Sequence, residues 1–372
     1  MSVIYSAAIP ENIKASYGEY DNVDFIMSFS NQVLVCPSIR LECDLEVTQN
    51  GLPLNDAANT YKNILMDKLV GGHAFIESVQ TEVQGQVIEN LNEYARYVKM
   101  VSAATLSNDS MYSSAQVCEL KGATDHEIQM MLKGEVVATQ PAVPLRNNPD
   151  FSIKPKMLLN NGRGMLPYSR TGSVRISFNL ARINSALYGL DVSADTKYVL
   201  KNMRLTYQTY PDVGQGQAMI PFAYKLAIKQ SIQSQFANIS TKVPATVNSV
   251  SCSLQYQDEE NTPLNNNQQL QKIPNVEQVQ FLFNDSSNKY ITFSLKNNEE
   301  IVSRFIESLQ DTGANSMSVN KLNNNNGYGM GLRFGGDFID LRNQKFNIQV
   351  NSALSSNTPM ILYMYFHSQV SL

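Results

Sequence analysis

Apolar and polar side chains alternate along much of the chain. In residues 38–47, SIRLECDLEV, Ile39, Leu41, Cys43, Leu45 and Val47 fall on one side and Arg40, Glu42, Asp44 and Glu46 on the other. That period of two predicts a half-buried β-strand with a charged face toward water. Asn50-Gly51 follows and predicts a tight turn. Strand patterns recur at 23–29, 74–83, 173–180 and 198–210, the last with Val199, Met203, Leu205 and Tyr207 among its apolar positions. They resume at 224–236, 248–257, 277–283, 289–295, 331–339, 345–350 and 359–370. NDSSN joins 277–283 to 289–295 as a hairpin, and Pro359 opens the last strand, where a missing N–H does least harm.

Two stretches break the pattern with a helical period. Residues 90–101 place Tyr94, Tyr97, Val98 and Val101 on one stripe, with Asn90 and Glu93 at capping-box spacing. Residues 297–309 repeat the arrangement, with Asn297 and Glu300 as the cap and Val302, Phe305, Ile306 and Leu309 as the stripe. Each helix follows a strand and precedes a long loop, 102–164 or 310–330. Each loop then leads to a strand bearing an arginine, Arg175 or Arg333. The pattern reads as one plan used twice. A Pro- and Gly-containing stretch, PDVGQGQ at 211–217, is the linker candidate. The expected organisation is an N-terminal arm over 1–20, a first domain over 21–212 and a second over 213–372. The start of the chain lacks the charged and apolar regions of a signal peptide.

Composition narrows the function. Charged residues are only 17% of the chain, and the net charge is −4 with no basic run. That argues against sequence-wide nucleic-acid binding. A surface rich in Asn, Gln, Ser and Thr suits packing against further copies, because few charges need desolvating; a host with biased codons gives the same composition. Cys36, Cys43, Cys118 and Cys252 have no metal-ligand spacing and read as buried free thiols. Asp125-His126-Glu127 is the one acid–His cluster and reads as solvated loop; His73 and His367 stand apart. The glycines at 160–165, 212–217 and 327–336 lack the Lys-Ser/Thr of a phosphate loop and read as turns. Tyr5, Tyr17, Tyr20, Tyr61, Tyr94, Tyr97, Tyr112 and Tyr168 suit either interfaces or ordinary core and surface. No catalytic, cofactor-binding or metal-binding residue is expected, and no cofactor.

All-β domains with irregular strand spacing and long connections fit jelly rolls better than up-and-down barrels. The run GGHAFIESVQTEVQGQVIENLNEYARYVKM (71–100) resembles the strand, turn and helix of the first jelly roll in double jelly-roll major capsid proteins of tailless icosahedral DNA viruses. Membrane-containing phages, adenovirus and virophages carry such proteins. SIRLECDLEVTQNG before it, YVLKNMRLTYQTY at the end of the first half and YMYFHSQV near the end of the second extend the resemblance. The resemblance implies an all-β fold of two consecutive eight-stranded jelly rolls, each with a short amphipathic helix. It implies a homotrimer forming pseudo-hexagonal capsomers, lateral trimer–trimer contacts, vertex or minor capsid partners, room for a membrane beneath the shell, and a place in the virion. ENIKASYGEY (11–20) would be an inner anchoring segment or a free tail. A minor or vertex capsid protein is the alternative; a carbohydrate-binding jelly roll is disfavoured, because Trp, the usual stacking residue, is absent.

Overall fold

A computed structural model describes residues 3–59, 61–105, 119–134, 150–161, 165–212, 221–233, 236–243, 246–260, 262–270, 272, 276–283, 288–294, 298–310, 327–334, 339–342, 345–352 and 359–371. The first eleven strands are β1 (Ile4–Ala8), β2 (Asn22–Met27), β3 (Gln32–Val35), β4 (Arg40–Gln49), β5 (Leu52–Pro53), β6 (Ile76–Val83), β7 (Gln86–Leu91), β8 (Asp150–Ile153), β9 (Met165–Pro167), β10 (Val174–Leu180) and β11 (Thr196–Pro211). Helices α1 (Tyr94–Thr105) and α2 (Asp125–Leu132) lie between β7 and β8. The second set is β12 (Pro221–Ile232), β13 (Phe236–Lys242), β14 (Thr246–Tyr256), β15 (Val276–Phe283), β16 (Asn288–Ser294), β17 (Met330–Arg333), β18 (Ile339–Asp340), β19 (Lys345–Ser352) and β20 (Met360–Ser371). Helix α3 (Asn298–Ser308) lies between β16 and β17.

Strand pairing reveals the duplication. In the first unit one sheet contains the order β1-β11-β4-β8, and the facing sheet is β2-β10-β6-β7. In the second unit the orders are β12-β20-β14-β17 and β13-β19-β15-β16. Position by position, the two units use their strands in the same sequence and with antiparallel pairing. Two facing four-stranded sheets with crossed-over neighbours are a jelly roll, so the chain is a double jelly roll. Extra strands β3, β5 and β9 widen the first unit, and β18 the second.

The cores follow from the alternation. β4 buries every second residue from Leu41 to Gln49 and turns Arg40, Glu42, Asp44 and Glu46 outward. Asn50 and Gly51, both at positive φ, make the two-residue turn into β5. Between the sheets, Phe25 packs edge-on against Phe178, and Phe75 lies 4.8 Å from Tyr198. In the second unit, Phe346 of β19 meets Phe366 of β20 at 5.5 Å and Phe281 of β15 at 5.9 Å.

Several expectations are corrected. The helix expected over 90–101 begins at Tyr94; Asn90 is instead in β7, paired with Gln80. Glu93 sits at φ 51°, so the Asn90–Glu93 capping box does not form. The hairpin was hidden because its turn is Gln84-Gly85, where only the glycine signals a left-handed residue although both adopt one. The stretch 102–164, expected as loop, holds α2, β8 and a short helix over Leu158–Asn161. Arg175 is on β10 and Arg333 on β17, which occupy different places in their units, so the two arginines are not counterparts. Residues 3–20 include β1, paired with β11, and a buried Tyr17 whose backbone bridges to Leu200. Lys14 pairs with Asp21 at 2.7 Å, so segment 11–20 lies against the first unit. Asn297, Cys118, Tyr112, residues 213–220 of the linker region and most of 310–330 lie outside the described residues.

Candidate functional site

The seam between the two units is built from many buried polar groups, and α1 is its centre. Every residue of α1 from Tyr94 to Ala104 is buried, Arg96 and Lys99 included. An amphipathic helix on one unit would leave that polar face in water. Here the second unit covers it.

Toward its own unit, α1 directs Tyr94, Val98, Lys99 and Val101. The Tyr94 hydroxyl accepts the Lys156 N–H at 2.9 Å and lies 2.8 Å from Nδ1 of His73. It donates to that nitrogen when the imidazole carries its proton on Nε2. His73 Nε2 is 3.9 Å from Glu119 Oε2, which in turn holds Lys121 at 2.8 Å. Burial, with the nearby charges of Lys121 and Lys156, pushes His73 down to about 4. Burial pushes the Glu119 carboxyl up, but His73 and Lys121 outweigh it and hold it well below the usual carboxylate range. Lys156 is pulled down to about 8, chiefly by burial. His73, Tyr94 and Lys121 of this His–Glu–Lys–Tyr cluster are buried. The cluster ties α1 to the short helical turn that carries His73.

Lys99 makes a buried ion pair of 2.6 Å with Asp67. The same carboxylate accepts N–H bonds from Leu69 and Val70, and Asn266 of the second unit donates to it at 2.7 Å. A buried charge pair is tolerable where the remaining lone pairs are satisfied, and these four donors do so.

Toward the second unit, α1 directs Arg96 and Tyr97 onto the outer face of β14 and β20. The Arg96 guanidinium stacks over the Tyr363 ring, 3.9 Å from its centre, and donates to the Gln255 side chain and the Asn267 carbonyl. Tyr97 lies 5.4 Å from Tyr365 and 6.1 Å from His367. Tyr365 donates to the Glu93 carbonyl at 2.9 Å, and His367 meets Ser251 at 2.9 Å. At the edge of the seam Lys229 bridges Glu93 and Glu260; burial alone would lower this lysine, but the two carboxylates raise it. The Gly189 N–H donates to the Pro263 carbonyl, and the Gln268 side-chain amide donates to the Ser185 carbonyl, closing the seam. A small cleft of about 20 Å³ opens beside it, lined by Glu77, Glu93, Arg96, Arg182, Glu260 and Tyr363.

The three histidines are not brought together: His73 and His367 lie on opposite sides of α1, and His126 is exposed on α2. Asp125-His126-Glu127, expected as solvated loop, is the first turn of α2. Glu127 is committed to a capping box with Thr124, accepting the Ala123 N–H at 2.7 Å. No group of three or more His, Cys, Asp or Glu able to hold a metal occurs among the described residues. Cys36, Cys43 and Cys252 are free and buried, and burial raises each thiol. Of the tyrosines singled out, Tyr17, Tyr94 and Tyr97 are core, while Tyr5, Tyr20 and Tyr61 are exposed. The glycines at 329 and 331 are not turn residues: a Cβ on Gly329 would stand 2.4 Å from the Phe305 ring, so β17 abuts α3. Sequence reasoning missed Arg96 and Lys99, because the polar side of a surface helix looks the same until a second body covers it.

Two jelly rolls in one chain, joined through one buried helix, define a double jelly-roll protein. No protein-family model matches this sequence, and a search of curated proteins finds no match. The chain is similar in structure to the Faustovirus major capsid protein, with a TM-score of 0.62 at 9% identity, over 100% of this chain and 90% of that one. It is similar to a chain of the PBCV-1 virus capsid, with a TM-score of 0.58 at 10% identity, over 100% and 95%. The mavirus major capsid protein aligns with a TM-score of 0.55 at 9% identity, over 98% and 86%. The chain therefore has the double jelly-roll fold of these major capsid proteins, over nearly its whole length.

Proposed function

We propose that this protein is a major capsid protein that homotrimerises into pseudo-hexagonal capsomers tiling an icosahedral viral shell. The observation that carries the reading is the duplication of one strand order in two units locked side by side through α1. Two similar units per chain and three chains per ring give six similar bodies, and six bodies approximate a hexagon. A closed cyclic trimer is a self-limiting assembly, which can then tile through weaker lateral contacts. The similarity in fold to capsid proteins of Faustovirus, PBCV-1 and mavirus supports a shell role and a virion location.

The role is structural rather than enzymatic: the titratable clusters of the seam are spent on joining helix to sheet, as His73 and Asp67 illustrate. Partners are further copies of the chain and the proteins that occupy shell vertices. Light scattering on purified protein at micromolar concentration tests the reading, with a trimer mass expected. Negative-stain images should show three-fold particles of hexagonal outline. A stable monomer would contradict the proposal.

A further inference from the structure

The buried ion pair of Lys99 and Asp67 has a third member across the seam. Lys99 sits on α1 and Asp67 just before the turn that carries His73, both in the first unit; Asn266 belongs to the second unit, between β14 and β15. Lys99 and Asp67 keep only 4% and 2% of their exposure, and Asn266 is half-buried. The two oxygens of the Asp67 carboxylate have different partners. Oδ1 accepts the Leu69 and Val70 N–H groups, which fix the plane of the carboxylate. Oδ2 meets the Lys99 amine at 2.6 Å and the Asn266 side-chain nitrogen at 2.7 Å. The other end of that carboxamide is also held: Asn266 Oδ1 accepts the Gln268 N–H at 3.0 Å.

These groups are the parts of an amide-transfer reaction. An amine is the nucleophile, a carboxamide is the acyl donor, and a carboxylate oxygen touching both nitrogens carries the proton between them. A backbone N–H already sits on the oxygen where negative charge would develop. We propose that Lys99 and Asn266 form an isopeptide bond, a covalent tie between the two jelly rolls that the folded chain makes once, by itself. The inference stands on the seam within one chain and does not depend on the trimer reading above.

The step balances without a co-reactant. The Lys99 ammonium gives a proton to Asp67 Oδ2, and the neutral amine attacks Cγ of Asn266. The Nζ–Cγ bond forms, the carbonyl electrons move onto Oδ1, and the Gln268 N–H holds that oxyanion. Asp67 passes its proton to Nδ2, the carbonyl reforms, and the Cγ–Nδ2 bond breaks. Of the three ammonium protons, one stays on the new amide, one reaches the leaving nitrogen through Asp67, and one departs with the ammonia as ammonium ion. Three features of the site favour this course over a static ion pair. Both reacting side chains rest on one oxygen, so the encounter is already made. The first proton transfer cancels two buried charges together. The segment bearing the acyl donor is pinned to the first unit, with the Asn267 side chain donating to the Asn184 carbonyl and the Gln268 side chain to the Ser185 carbonyl at 3.0 Å. The resulting cross-link closes a long loop and restricts the unfolded chain, as a disulfide does.

The test is mass spectrometry of the purified full-length protein under denaturing conditions, followed by proteolysis. The natural chain should be lighter than its sequence by the mass of one ammonia, and the digest should contain one branched peptide joining Lys99 to Asn266. Lys99→Arg keeps a cation beside Asp67 but no amine nucleophile, and Asp67→Asn keeps the shape but cannot carry the proton; both should show the full sequence mass. Asn266→Ala, at a half-buried loop position, should fold with unchanged circular dichroism and also show the full mass. A natural chain at its full sequence mass overturns the inference. So does an ammonia deficit that Asn266→Ala retains, or a digest in which Lys99 and Asn266 appear only in separate linear peptides.

Discussion

The guanidinium of Arg96 lies 3.9 Å from the centre of the Tyr363 ring, so a side chain of the first jelly roll's helix is stacked on a central strand of the second. Gln255 and the Asn267 carbonyl complete the pocket and leave the cation buried.

Replacing Arg96 with Ala removes the stack and the guanidinium's hydrogen bonds to the buried Gln255 side chain and Asn267 carbonyl. Cation–π contacts and buried unsatisfied acceptors are each worth about 1 to 3 kcal/mol. The expected loss in unfolding free energy is about 3 kcal/mol, read from the urea midpoint. Arg96→Lys should recover part of it, because lysine keeps the charge over Tyr363 but not the two-sided hydrogen bonding.

Val98 is fully buried on the side of α1 that faces its own unit. Val98→Asp puts an unpaired charge there and should cost on the order of 3 kcal/mol or more. Loss of soluble folded protein, and with it of the proposed trimer, is expected by size-exclusion chromatography; an unchanged elution profile and melting temperature would contradict the packing described.

His73 supplies a pH dependence. Its folded pKa, about 4, lies below its unfolded value of 6.5, so the unfolded chain takes up the proton first. Stability from this group is complete above about pH 6.5 and is lost as pH falls toward 4, by about 3 kcal/mol at most. Glu119, also held low, adds a further loss as pH falls below 4.5. Urea midpoints at pH 7, 6 and 5 should fall steadily for the natural protein. With His73→Gln the slope across that window should flatten.

Gly329 faces the ring of Phe305 across the contact between β17 and α3. Gly329→Ala drives a methyl group into that ring, an overpacking of about 1 to 3 kcal/mol. A lowered melting temperature with unchanged β-sheet circular dichroism is expected. No change would mean that α3 can shift away from β17.

Much of the architecture was legible residue by residue. The alternation in β4 predicted its buried and outward sides, Asn50-Gly51 predicted its turn, and the hairpin of β15 and β16 appeared with its intervening turn composition. What failed was local ambiguity. VIENL, at 87–91, reads equally as helix start or strand, and its pairing with β6 decided for strand. The Ile128–Leu132 patch was too short to declare a helix until Thr124 and Glu127 capped it. Arg175 and Arg333 looked like counterparts because linear order cannot show which strands become neighbours.

By itself the sequence determined that the chain is β-rich, that one plan is used twice, and that each copy carries a helix with an apolar stripe. Those properties follow from side-chain periodicity, which is local and written in the order of residues. Only the tertiary structure decided what the polar side of each helix meets. Arg96 of α1 is buried because β14 and β20, about 160 to 270 residues further along the chain, fold back over it, whereas Lys99 is buried against Asp67 of its own unit, whose carboxylate Asn266 of the second unit also reaches. Arg304 of α3 is half-exposed and pairs only along its own helix, with Glu307, among the described residues. Burial is a property of what lies across from a residue, and that partner is chosen by long-range topology rather than by the residue's neighbours in sequence.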